Sequence, residues 1–137
     1  MFFKKKGQVG LEFVLVTMVA FSTLIVFSLV LFNIMSSKQD EKRFILAEDL
    51  ALSIKQEISF ASNAEKGYSR IVNLPKNIEG ANYEITLGVT SINTGYFELE
   101  IDNSVFFEII PLTSGTIEPG RIKISKREAD VFVEVLP

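Results

Sequence analysis

The chain has 137 residues, with 14 Lys and Arg against 17 Asp and Glu, and it contains neither Cys nor His. These absences exclude disulfides, thiolate nucleophiles, Ser-His-Asp triads and metal sites built on Cys or His. No glycine-rich phosphate motif and no basic stripe occur, which argues against nucleotide and nucleic-acid sites. We therefore expect no enzyme, no catalytic residue, no cofactor, no metal and no small-molecule substrate.

A basic segment opens the chain and an apolar segment follows it. Residues 13–37 carry no charge, and 18 of these 25 residues are apolar. A helix of that length, at about 1.5 Å per residue, exceeds a hydrocarbon core of about 30 Å. Lys4, Lys5 and Lys6 precede it, so the positive-inside rule predicts a cytoplasmic N-terminus and an exterior C-terminal part. No small-residue cleavage site follows the apolar segment, which argues against an ordinary secretory signal.

The junction between these segments carries a family resemblance. KKKGQVGLEF, in which Glu12 is a lone carboxylate beside the uncharged segment, resembles the class III signal of archaeal type IV pilins. That family loses a basic leader after Gly and keeps the apolar helix. The resemblance implies cleavage between Gly7 and Gln8 by a prepilin peptidase, and a role for Gln8, Glu12 and Phe13 in subunit assembly. Gly10 departs from the family, which usually has Ser there.

The second half of the predicted helix is amphipathic. No Gly or Pro occurs in residues 11–66, and apolar residues recur at spacings of four and three, as one helix face requires. The members of this stripe are Ala47, Ala51, Ile54, Ile58 and Ala61. We expect the stripe to cover the chain's own core, and we expect Gly67 to cap the helix. Ser36 and Ser37 mark the position where a kink would occur.

From Tyr68 onward the apolar period is two, which predicts five to six short strands, mostly antiparallel. The residues expected to face the core are Tyr83, Ile85, Leu87, Val89, Phe97, Leu99, Ile101, Ile122, Ile124, Val131, Val133 and Val135. Glu84, Glu98 and Glu100 alternate with them and are expected to point outward. The segment 105–110 is apolar on both faces apart from Glu108, so we expect it to be covered on both sides.

The predicted fold is α+β: a long N-terminal helix, apolar then amphipathic, with a small antiparallel β domain. The predicted divisions are a cleaved leader (1–7), a membrane and filament-core helix (8–37), its amphipathic continuation (38–67) and an extracellular β head (68–137).

The resemblance implies a structural subunit of an archaeal type IV pilus-like filament for surface adhesion. Its partners would be other copies, other pilins, the prepilin peptidase, the pilus assembly machinery and, before assembly, the membrane. The subunit would lie in the cell membrane first and in an extracellular filament afterwards. An alternative is a single-pass anchored extracellular binding protein that does not polymerise.

Overall fold

The computed structural model describes the backbone of residues 3–137 and the side chains of residues 9–137. The predicted leader (1–7) and the cleavage site at Gly7 and Gln8 therefore lie outside the described side chains. The described chain forms two compact units, one ending at Glu41 and one comprising Lys42–Pro137. The architecture is α+β, as predicted.

Helix α1 (Phe3–Asn63) has 61 residues, and no Pro interrupts it. It ends at Asn63 and not at Gly67, because the next N–H, that of Ala64, bonds three residues back and so leaves the α-helical pattern. The Asn63 side-chain amide donates to the Ser59 carbonyl at 3.0 Å, and the Ala64 N–H donates to the Ala61 carbonyl at 3.2 Å. Gly67, with a φ of 87°, instead lies in the turn that leads into the first strand.

Seven strands form two sheets. In chain order they are β1 (Ser69–Asn73), β2 (Tyr83–Ser91), β3 (Thr94–Ile101), β4 (Ser104–Pro111), β5 (Thr113–Gly115), β6 (Arg121–Lys126) and β7 (Val131–Val135). One sheet has the order β1-β6-β7-β5 and the other the order β2-β3-β4. All pairs are antiparallel except β5 with β7, which is parallel.

The seventh strand is the one that the period-two pattern missed. Strand β5 has three residues and gives no alternation to detect. Its pairing depends on Gly115, whose φ is 108° and whose Cα lies so close to β7 that a Cβ would meet the Val133 carbonyl oxygen at 1.9 Å. The number of strands is therefore seven and not five to six.

The core lies between the inner faces of the two sheets and the amphipathic part of α1. Every residue of the predicted helix stripe is buried, with exposures of 2% or less, as expected. On the strands, most of the predicted inward residues are also buried or half-buried. The exceptions are Val89, which is 63% exposed, and Val135, which is 39% exposed, because each lies near the end of its strand.

Aromatic and ionic contacts join α1 to both sheets. The ring of Phe44 packs against Phe106 of β4, with centroids 4.9 Å apart. Lys55 donates to a Glu108 carboxylate oxygen at 2.7 Å. On the other sheet, Arg70 of β1 lies 3.2 Å from the Glu57 carboxylate. These contacts fix which face of each sheet is covered by the helix.

The prediction that segment 105–110 is covered on both sides is wrong. Phe106, Glu108 and Ile110 face the core, whereas the alternate residues face outward. Val105, Phe107 and Ile109 are 59%, 53% and 58% exposed. The helix covers only the inner face of this sheet, and no other element among the described residues covers the outer one.

Candidate functional site

The apolar part of α1 is exposed along its whole described length. The large apolar side chains between Val9 and Met35 are 45–75% exposed. An 18-residue window within this helix has a mean hydropathy of 2.6, and none of that window is buried by the rest of the protein. Among the described residues, this is the one helix that is long and apolar enough to cross a membrane. Apolar area of this extent indicates a surface that another apolar medium covers.

Four hydroxyl groups interrupt this apolar surface, and each is satisfied within its own helix. Thr17 donates to the Phe13 carbonyl at 2.7 Å, and Ser22 donates to the Met18 carbonyl at 2.8 Å. Thr23 and Ser28 make the same bond to the carbonyl one turn back, at 2.9 Å. A polar group that is unsatisfied in lipid costs several kcal/mol, so these bonds make the segment compatible with hydrocarbon.

The predicted assembly residues lie at the start of this surface. Glu12 and Phe13 are both exposed, and Phe13 is 71% exposed. Phe13 is the first residue of one face of this helix that continues through Thr17 and Phe21 to Ile25. The side chain of Gln8 lies outside the described part of the chain, so its position relative to Glu12 stays a prediction.

A second exposed apolar surface lies on the outer face of the three-stranded sheet. Phe107 of β4 stacks with Tyr96 of β3, with ring centroids 5.1 Å apart and an interplanar angle of 29°. The Tyr96 ring in turn lies over Gly88 of β2, where an added Cβ would meet the ring at 2.2 Å. The aromatic pair therefore covers the one position on this face that has no side chain.

The β3–β4 turn in the sequence already indicates which residues of β4 lie on this surface. Asp102 and Asn103 form the β3–β4 turn, and Asp102 has a φ of 51°. A two-residue hairpin fixes the register, which places Val105 opposite Glu100 and Phe107 opposite Glu98. Residues directly opposite each other on paired strands lie on the same face of the sheet. Because Glu98 and Glu100 are expected to point outward, this register predicts that Val105 and Phe107 also point outward.

No group of three or more His, Cys, Asp or Glu side chains in residues 9–137 is arranged to hold a metal ion. The partly buried Lys55–Glu108 pair instead fixes α1 against β4, and its side chains are 40% and 25% exposed.

Comparisons of the chain with known protein families, with curated proteins and with solved structures give no match.

Proposed function

We propose that this chain is a structural subunit of an archaeal type IV pilus-like extracellular filament that serves surface adhesion. The observation that carries the proposal is the exposed apolar half of α1, with its internally bonded hydroxyls, directly after the segment KKKGQVGLEF. The helix would lie in the membrane first and then exchange lipid for copies of itself. The prepilin peptidase and the assembly machinery would be its processing partners, and the β domain would lie outside.

Glu12 provides the registration between copies. Cleavage after Gly7 would leave an ammonium group on Gln8, and Glu12 of an incoming copy would pair with that group on its neighbour. Two unit charges about 4 Å apart attract by about 4 kcal/mol at an effective dielectric constant near 20. A carboxylate left alone in an apolar layer is unfavourable, so the pair fixes an axial offset between neighbouring helices. A repeated contact of this kind that does not close builds a filament.

The first test is the chemical state of the N-terminus. We expect N-terminal sequencing of the protein from its host membrane to begin at Gln8, and the intact mass to lack residues 1–7. The same cleavage removes three lysines, which leaves 11 Lys and Arg against 17 Asp and Glu and lowers the net charge from −3 to −6. A mature chain that retains residues 1–7 would overturn the proposal.

The second test removes the Glu12 charge. We expect Glu12→Val to insert into the membrane and to be processed, but to form no filaments by electron microscopy. Glu41→Val is the matched control, since it removes an exposed carboxylate from the same helix outside the uncharged segment. Normal filaments from Glu12→Val would refute the charge-pair mechanism.

A non-polymerising anchored binding protein is the second candidate. The stack of exposed Phe107 on half-buried Tyr96 favours it, because aromatic side chains are common at recognition sites. In that case detergent would extract the protein from the membrane as single copies, with or without residues 1–7. The Glu12→Val protein would be extracted in the same form as the wild type.

A further inference from the structure

The outer face of the three-stranded sheet combines an apolar strip with an acidic strip. The apolar strip is the exposed side of β4, where Val105, Phe107 and Ile109 follow one another on one face. Glu98 and Glu100 lie beside it on β3, in register with Phe107 and Val105. We call this surface the acidic face; its members are Glu84, Thr86, Tyr96, Glu98, Glu100, Val105, Phe107 and Ile109.

The charges on the acidic face are not balanced by any side chain that the structure describes. Glu84 lies directly opposite Glu100 across the β2–β3 pair, and like charges at such positions repel. None of Glu84, Glu98 and Glu100 takes part in an ion pair with any side chain that the structure describes. A cation supplied from outside the chain would relieve this repulsion while the apolar strip is covered.

The outer face of the four-stranded sheet has the opposite charge. Lys123 of β6 lies 3.3 Å from the Glu134 carboxylate of β7. The guanidinium groups of Arg121 and Arg127 form no ion pair with any carboxylate among the described side chains. The Arg127 guanidinium carbon lies 3.4 Å from the centroid of the Phe132 ring. We call this surface the basic face; its members are Ser69, Ile71, Arg121, Lys123, Ser125, Arg127, Phe132 and Glu134.

The basic face also has an apolar component that could meet the strip on β4. Ile71 of β1 is 51% exposed and lies in register with Lys123. Phe132 lies in register with Ser125 on the same side of the sheet. Each face therefore presents apolar side chains flanked by charge, with the sign reversed between the two.

We propose that the acidic face of one copy of this chain docks onto the basic face of the next copy. Docking of either face onto its own kind would bring like charges together, so the contact is heterologous and continues from copy to copy. The inference rests on the proposed function, because polymerisation through α1 is what brings the β domains side by side. It adds the surfaces through which the β domains meet.

The absence of cysteine allows a direct test by crosslinking in the full-length protein. Thr86→Cys places a thiol on the β2 side of the acidic face, opposite Glu98, and Ser69→Cys places one on the basic face; both positions are exposed. With a bis-maleimide that is long enough to join adjacent faces, we expect the double variant to give a ladder of oligomers, in membranes and in filaments. Each single variant should give monomer only.

Matched variants separate docking from random collision. Ser53→Cys replaces an exposed serine on α1, and its combination with Thr86→Cys should give no ladder. In the double-cysteine background, Glu84→Gln, Glu98→Gln and Glu100→Gln together should lower the ladder yield about tenfold, because the acidic face loses its attraction to the basic face. The control removes three exposed carboxyl charges elsewhere, with Glu48→Gln, Asp49→Asn and Glu65→Gln, and should leave the yield unchanged.

The outcomes distinguish this inference from the proposed function. Filaments without a ladder would overturn the inference and leave the filament function standing. A ladder in membranes without filaments would support the inference and count against the filament function. Dimers from Thr86→Cys alone would indicate an isologous contact and overturn the inference. A yield that does not respond to the three glutamine substitutions would overturn it as well.

Discussion

At the scale of single residues, Tyr83 connects the segment between β1 and β2 to the core of the β domain. Its side chain is buried, with 6% exposure, and its hydroxyl donates to the Pro75 carbonyl. Burial raises the pKa of Tyr83 from 10.0 to about 12, because the phenolate is poorly solvated there. The folded state therefore prefers the neutral phenol, which keeps its hydrogen bond.

This environment predicts a pH dependence. The folded protein holds the Tyr83 proton up to about pH 12, whereas the unfolded chain releases it near pH 10. The contribution to stability is therefore fully present below pH 10 and is lost as the pH rises from 10 to 12. We expect denaturant unfolding of the detergent-solubilised chain to show this loss.

The phenylalanine variant isolates the phenol. Tyr83→Phe should lower the free energy of unfolding by about 1 kcal/mol at neutral pH, the usual contribution of one hydrogen bond. It should also remove the Tyr83 part of the alkaline loss. Tyr96→Phe is the control, because Tyr96 lies on the outer face of its sheet. An unchanged alkaline profile in Tyr83→Phe would contradict this assignment.

Gly115 gives a second prediction at the residue scale. A Cβ at this position would meet the Val133 carbonyl oxygen at 1.9 Å, so Gly115→Ala must displace β5 from β7. We expect the free energy of unfolding to fall by more than about 2 kcal/mol. Gly67→Ala also forces an alanine into a positive φ but meets open space, so it should cost only about 1–2 kcal/mol. Equal losses in the two variants would show that the contact with Val133 has no effect.

At the scale of elements, the amphipathic part of α1 packs against both sheets. Ile58 is fully buried in the core, whereas Ile45 on the same helix is 50% exposed. Ile58→Ala should lower the free energy of unfolding by about 2–5 kcal/mol, because it removes buried methyl groups and leaves a cavity. Ile45→Ala is the matched control and should cost less than about 1 kcal/mol. Chemical denaturation followed by circular dichroism measures both, and similar losses would contradict the assigned helix face.

The helix stripe could be predicted from the sequence, whereas hydropathy alone did not reveal the covered face of β4 or the existence of β5. The prediction that the stripe from Ala47 to Ala61 covers the core is confirmed, since every member is buried. The stripe is visible in the sequence because residues three to four apart lie on the same face of a helix. The prediction that β4 is covered on both sides is wrong, because a run with apolar residues on both faces does not reveal which face is covered. Strand β5 has only three residues, and it pairs in parallel with β7, which lies further along the chain. Its formation therefore depends on this tertiary pairing, which hydropathy alternation within the strand does not reveal.

The apolar helix surface was predictable for a different reason. A run of 25 uncharged residues needs no knowledge of the tertiary structure to indicate a membrane-length helix. The proposed role of Glu12 depends on a partner outside the chain and on an ammonium group that the proposed cleavage would create, and a single uncut chain holds neither. It therefore remains a prediction about assembly.

At the scale of the whole molecule, the core and the apolar helix surface belong to different units. All members of the hydrophobic core lie between Ala47 and Val133, within the unit Lys42–Pro137. We expect a chain that begins at Lys42 to fold without the apolar segment, to stay in solution and to keep its β content by circular dichroism. Ile58→Ala in the same shortened chain should unfold at lower denaturant concentration, which confirms that the core is native. An unfolded Lys42–Pro137 chain would contradict this independence.

The hydroxyl bonds along α1 have a consequence for how the segment changes its surroundings. Thr17, Ser22, Thr23 and Ser28 each bond to a carbonyl of their own helix. Moving the helix from one apolar environment to another would therefore break no hydrogen bond at these positions. At these four positions the free energy of the transfer would then depend on how closely side chains pack, and not on an exchange of hydrogen-bond partners. These hydroxyl groups would therefore add no hydrogen-bonding barrier to the passage of the segment into or out of an apolar assembly.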